Sequence, residues 1–248
     1  MLLARTRARV MTRGTLVVAA ASGLPGVAPL AAAPAEVQAI RTRMSGPVAE
    51  LSGPSATPSN LISRGLEQYA VLHFASHAVP DEDRPLRSAL LLAPDAAHAD
   101  GRWTAEDIYR RTLRAQLVVL SACSTASGAE TAGEGVMSLA RAFLYAGADT
   151  AIATLWDVPD APGPAFADAL YRGLAAGRPI GEATANARRA LRRSGAPPRA
   201  WAAYVLTGDP SRSVASTAPV SDIPRALRAA GGLFAVALVV TLLRRRVA

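Results

Sequence analysis

The stretch Leu117-Val118-Val119-Leu120-Ser121-Ala122-Cys123 constrains this chain more than any other. Its apolar, β-favouring start reads as a buried strand. Small residues close it, and the last residue is the only cysteine in the protein. A Ser/Thr/Ala/Gly-rich loop follows, with Ser124 and Thr125 at its start, and a helix opens near Glu134 in Gly133-Glu134-Gly135. In open α/β sheets the carboxyl ends of the strands are where ligands and chemistry are placed. Upstream, Val71-Leu72-His73-Phe74-Ala75-Ser76-His77 ends in the same way, on an imidazole. A thiol and an imidazole on two strand ends form the simplest kit for a cysteine nucleophile with its base.

The rest of the chain reads as alternating elements. Residues 1–14 carry arginines and no acid. Thr15-Leu16-Val17-Val18-Ala19-Ala20 is then read as a first strand rather than a signal-peptide core, because Gly23, Pro25, Gly26 and Pro29 break the apolar run. A helix is predicted over residues 35–44, a short strand over 48–51, and a helix over 60–68 capped by Thr57 or Ser59. Residues 88–92 read as a strand, and Thr104 with Asp107 forms a capping box for the next helix. Beyond Cys123 come a helix over 134–146 ended by Gly147, a strand over 150–156, helices over 164–176 and 180–193, and a last strand over 201–207. Strands alternating with helices specify an α/β fold with a mainly parallel sheet covered on both faces.

Composition narrows the partners. The formal charge is +8 and there is no lysine, so the basic side is wholly arginine. The arginines are scattered over residues 5–13, 110–114, 188–193 and 244–246, and no aromatics interleave with them. A single-strand binder stacks bases on such aromatics, so no nucleic-acid partner is expected. One cysteine excludes an internal disulfide framework and a cysteine-rich metal site. The three histidines lack ligand spacing, so no metal and no cofactor are expected.

Residues 211–228 form a polar linker. No residue from 229 to 243 is charged, and Arg244-Arg245-Arg246 follows. That run is shorter than the ~20 residues of a full span, but Arg228 is long enough to snorkel and extend it. Residues 229–248 are therefore expected to form a C-terminal transmembrane helix with a basic tail. The positive-inside rule weighs Arg244-Arg245-Arg246 on one flank of this helix against Arg225 and Arg228 on the other, the flank that carries the folded domain; the domain is expected on the cytoplasmic side.

The motifs together resemble the CHAT domains, bacterial relatives of caspases and separases. His77 and Cys123 follow the caspase-like order, with the His roughly 50 residues upstream. The matching pieces are the His77 and Cys123 strands, Gly133-Glu134-Gly135, Arg141-Ala142-Phe143-Leu144-Tyr145-Ala146-Gly147-Ala148, Leu155-Trp156-Asp157-Val158, Gly181-Glu182-Ala183 and Trp201-Ala202-Ala203-Tyr204. The resemblance covers residues 15–210. It implies a caspase-like three-layer sandwich and a cysteine endopeptidase acting on a protein or peptide, in bacterial signalling or defence. Cys123 would attack the scissile carbonyl and His77 would shuttle the proton. Where the family often has His-Gly, this chain has Ala78, whose amide remains available for the oxyanion. Many members carry tetratricopeptide repeats or other sensors. No internal repeat is visible here, so the chain reads either as a truncated gene product or as a protein whose partner is a separate sensor or regulatory protein.

The chemistry behind that implication is general. A cysteine reacts as its thiolate, and a free thiol has a pKa near 8.5, so a neighbouring imidazole has to help. The charge that develops on the attacked oxygen needs preorganised N–H donors. The backbone amides of Ala78 and Cys123 are the candidates. Asp157 and Asp160, after a strand end, and Glu134, at a helix start, are candidate borders of the substrate site; for the two aspartates a turn and helix cap is the equal alternative. His73 reads as a packed core histidine and His98 as a loop residue. Two other functions remain open at this point: a catalytically inactive scaffold that binds a partner protein, and a hydrolase of small amides or thioesters using the same dyad.

Overall fold

The computed structural model describes residues 14–20, 27–81, 83–123 and 133–214, with no side chain described between 122 and 138. All fall in the unit Met1–Thr217; the unit Ala218–Ala248, with the expected membrane helix, lies outside the described residues.

The elements follow from local chemistry. Strand β1 (Thr15–Ala19) is buried throughout. Helix α1 (Ala33–Arg43) carries Glu36 in its first turn and Arg41 and Arg43 in its last, matching the helix dipole. After β2 (Val48–Ser52), Thr57 caps α2 (Pro58–Ser63), its hydroxyl accepting from the Asn60 amide at 3.1 Å. This helix stops sooner than its sequence predicts. Gly65 takes φ +64°, a left-handed turn that breaks the helix, and residues 66–68 form a separate 3₁₀ turn.

Strand β3 (Val71–Val79) runs two residues beyond His77 and pairs there with β4 (Ala89–Leu91). β4 pairs with β5 (Arg102–Thr104), a strand too short to be legible from periodicity. The capping box before α3 (Ala105–Tyr109) is present: the Asp107 amide donates to Thr104 Oγ1, and the Thr104 amide donates to Asp107 Oδ2. The chain continues through β6 (Leu117–Cys123), α4 (Gly133–Ala146) and β7 (Thr150–Thr154). Helices α5 (Gly163–Ala175) and α6 (Ile180–Arg193) then lead to α7 (Pro198–Trp201) and β8 (Tyr204–Gly208). The sequence starts the last strand at Trp201; the Pro197-Pro198 pair instead starts a single helical turn at Pro198 that takes in Trp201, and the strand begins at Tyr204.

The sheet order is β2-β1-β3-β6-β7-β8, with β4 and β5 at the end of β3. Strands β2, β1, β3, β6 and β7 pair in parallel, while β4, β5 and β8 pair antiparallel. Both faces are covered. Alternation along β1 sends Leu16 and Val18 into the core under α2, α3 and α4, and Val17 and Ala19 into the core under α1, α5 and α6. The result is the three-layer sandwich with a mainly parallel sheet that the sequence predicts.

Candidate active site

Parallel pairing of β3 and β6 makes Val71 the partner of Leu117 and carries through to His77, the partner of Cys123. Neighbouring strands lie about 4.8 Å apart, so the two backbones stand side by side at the carboxyl edge of the sheet. The imidazole and thiol strands of the sequence thus end together. The Cys123 side chain lies outside the described residues.

His77 is almost wholly buried, and its Nε2 lies 2.7 Å from the Ala28 carbonyl oxygen. A carbonyl only accepts, so the ring donates through Nε2–H, and Nδ1 is the basic nitrogen of the neutral imidazole. Ala28 belongs to the segment leading into α1, and a backbone acceptor of this kind has no residue-type signal in a sequence.

Ala78 continues β3 as the partner of Leu90 in β4. Among the described residues no non-glycine has positive φ, so Ala78 is extended and carries none of the left-handed cost that an alanine would bear there. Asp157 lies just beyond β7, next to β6, with its side chain exposed. Glu134 is in the first turn of α4, and its side chain lies outside the described residues. Trp156, between Leu155 and Asp157, donates from Nε1 to the Arg199 carbonyl at 2.8 Å, which ties this edge to α7.

Four residues before His77, His73 anchors a buried polar cluster. Its Nδ1 is 2.9 Å from the Tyr171 hydroxyl on α5, and its Nε2 is 3.0 Å from Glu36 Oε1 on α1. The second contact lacks hydrogen-bond alignment, so it is a close electrostatic pairing rather than a formed bond. The Glu36 carboxylate also lies near the start of α5: a β-carbon on Gly163 would come within 3.2 Å of Oε2. Glu36 was legible as an anomaly, an acid on the same buried stripe as Val37 and Ile40. Burial, with the Glu36 charge second, pushes the Tyr171 phenol well above its ordinary value.

That shift has a sign. A phenol raised above its unfolded value of ~10 contributes its full stability below about pH 10 and loses it as pH rises. Tyr171→Phe should therefore cost about 1–3 kcal/mol at pH 7, because His73 loses a buried partner. The variant should also lose stability less steeply than wild type above about pH 10. Urea unfolding followed by circular dichroism at pH 7 and through the alkaline range measures both.

Among the described residues no group of three His, Cys, Asp or Glu side chains is arranged to hold a metal ion. The arrangement offers instead a strand-end cysteine beside a histidine whose proton position is fixed by the backbone. The CHAT domain family model matches residues 2–209. This chain belongs to the CHAT domain family. This CHAT domain is 36% identical over 126 residues to tetratricopeptide repeat protein 28 of Mus musculus, and equally to that of Homo sapiens, a match over 50% of this chain. It spans only 5% of the length of those relatives. Among solved structures, the Arg-specific cysteine proteinase gingipain R (RgpB) superposes with a TM-score of 0.59 at 16% identity, over 84% of this chain and 48% of that one. The complex of the Porphyromonas gingivalis RgpB pro- and mature domains gives 0.53 at 14% identity, over 84% and 50%. At such identity the likeness speaks for the fold, a caspase-like one.

Proposed function

We propose that this CHAT domain is a cysteine endopeptidase that cleaves a protein substrate in a signalling or defence response. The observation that carries the reading is the register match of His77 with Cys123 at the carboxyl edge. In this reading the His77 Nδ1 takes the thiol proton and Cys123 Sγ attacks the scissile carbonyl. The amides of Ala78 and Cys123 hold the oxyanion. His77 then returns its proton to the leaving amine, and water hydrolyses the thioester. Asp157 and Glu134 border the peptide. A separate sensor or regulatory protein governs the reaction; tetratricopeptide repeats in the name of the curated relatives support a protein partner.

The test is the alkylation rate of Cys123 against pH, with His77→Ala beside it. A single cysteine makes the signal unambiguous. The expected thiol reacts well below the ~8.5 of a free cysteine, and His77→Ala moves the inflection back up. Slow reaction with an unchanged inflection in both proteins rejects the dyad and favours a scaffold that binds a partner without cleaving it.

We place the domain at a membrane, held by residues 229–243 with the peptidase on the cytoplasmic side. Among the described residues no helix is long and apolar enough to span a bilayer, and this segment lies outside them. The full chain should pellet with membranes and resist carbonate extraction, and a chain ending at residue 214 should stay in the supernatant. Equal partition of the two chains overturns the anchor.

A further inference from the structure

His77 is held by a backbone carbonyl, so something must hold that backbone. The Ala28 oxygen lies in the short segment before α1, which runs Ala28-Pro29-Leu30-Ala31-Ala32. Pro29 fixes one φ of this segment, and Leu30 is buried in the core beneath α1 and α5. The segment ends at Ala32, the N-cap of α1, which makes no side-chain cap of its own. Its amide donates instead to Asp160 Oδ2 at 2.6 Å, across the domain from the loop between β7 and α5. Asp160 is itself fixed, because its own carbonyl accepts from the Gly163 amide at 3.0 Å. A carboxylate at a helix N-terminus also has the favourable sign for the helix dipole.

The geometry points to Asp160 as a positioning residue for His77. It pins the entry to α1, and that entry presents the Ala28 carbonyl to the imidazole. The role deepens the proposed peptidase reading and rests on it. The carbonyl keeps the neutral ring in its Nε2–H form and accepts a charge-assisted hydrogen bond once the ring is protonated. Without the pin, the carbonyl is held less firmly, the imidazolium loses stabilisation, and the thiolate fraction of Cys123 at neutral pH falls.

A second tie between α1 and α5 supplies the control. At the far end of α1, Arg43 Nε is 2.6 Å from Asp168 Oδ1. Both aspartates join α1 to its neighbour, but only Asp160 acts at the end that carries Ala28. A purely structural role predicts that the loss of either tie acts alike.

The experiment compares Asp160→Ala, Asp160→Asn and Asp168→Ala with the wild-type full chain. The readouts are the His77 imidazole titration by ¹⁵N NMR, the pH profile of Cys123 alkylation, and urea stability. Asp160→Ala is expected to lower the His77 titration and to cut alkylation at pH 7 about 3- to 10-fold, the effect of up to one pKa unit. Asp160→Asn, which keeps an acceptor oxygen, should recover part of this. Asp168→Ala should leave both site readouts at their wild-type values whatever it does to stability. A wild-type His77 titration in Asp160→Ala overturns the inference, and so does an equal shift in Asp168→Ala. If Asp160→Ala does not fold, Asp160→Asn decides, and a wild-type titration in it overturns the inference equally. The NMR readout does not require a reactive thiol. Failure of the dyad appears separately, as a thiol indifferent to His77→Ala.

Discussion

Cys123→Ala should abolish peptide hydrolysis, lowering kcat/KM on the order of 10⁴-fold or more, the scale seen when a covalent nucleophile is removed. The loss should fall on kcat, because the thiol makes its decisive bond only as the reaction proceeds. Fluorogenic peptide libraries measured with both proteins give the comparison. Cys123 ends β6 at the carboxyl edge of the sheet, and urea unfolding of the two proteins separates a loss of chemistry from a loss of fold. Retained hydrolysis in Cys123→Ala would assign turnover to a contaminant or to another nucleophile. Turnover confined to small amides or thioesters, and lost in the variant, would keep the dyad and change the substrate class.

The largest expected effect on stability lies on the opposite face of the sheet. Trp103 on β5 is fully buried, with ring centroids 5.7 Å from Phe74 and 5.8 Å from Phe143. Phe74 and Phe143 are themselves 5.3 Å apart, so three rings from β3, β5 and α4 close one aromatic cluster. Trp103→Ala should cost about 3–5 kcal/mol, a large part of the 5–15 kcal/mol that typically holds a domain folded. In a domain of this size the midpoint temperature should drop by roughly 6–20 °C. Trp103→Phe is the informative companion. It keeps most of the ring contact and removes an indole N–H that is buried without a hydrogen-bond partner, so its cost should be far smaller. Calorimetry of the two variants separates packing from polarity. Phe74 lies between His73 and Ala75 on β3, so Trp103→Ala should also slow Cys123 alkylation through the loosened strand.

Much of this arrangement is legible in the sequence because the sheet is parallel and buried on both faces. Its inner strands appear as continuous apolar runs, and their carboxyl ends are marked by the change to His77 and to Cys123. Thr57 and Thr104 betray helix starts through hydroxyls that satisfy backbone amides. What stayed hidden depends on tertiary contact. β5 is formed by three residues whose pairing with β4 has no period of its own. The carbonyl that holds His77 belongs to an alanine, and any residue carries a carbonyl. Asp160 reads equally well as a turn residue or a pocket border, yet its partner is an amide at the head of a helix 128 positions earlier. Only the folded chain brings the two together.

If the dyad acts as proposed, the pairing of β3 with β6 also sets when the protein becomes reactive. Parallel strands cannot be joined by a tight hairpin, so β4, β5 and α3 must be laid down before β6 can dock beside β3. Such non-local pairing forms slowly, because loop closure is paid before the contacts reward it. A newly made or partly melted chain therefore carries an ordinary cysteine and an ordinary histidine, each with the chemistry of a free amino acid. Under the proposed peptidase reading, the order of events along the polypeptide acts as a safety catch: proteolytic power is delayed until the centre of the sheet has closed, and it is forfeited as soon as that seam opens.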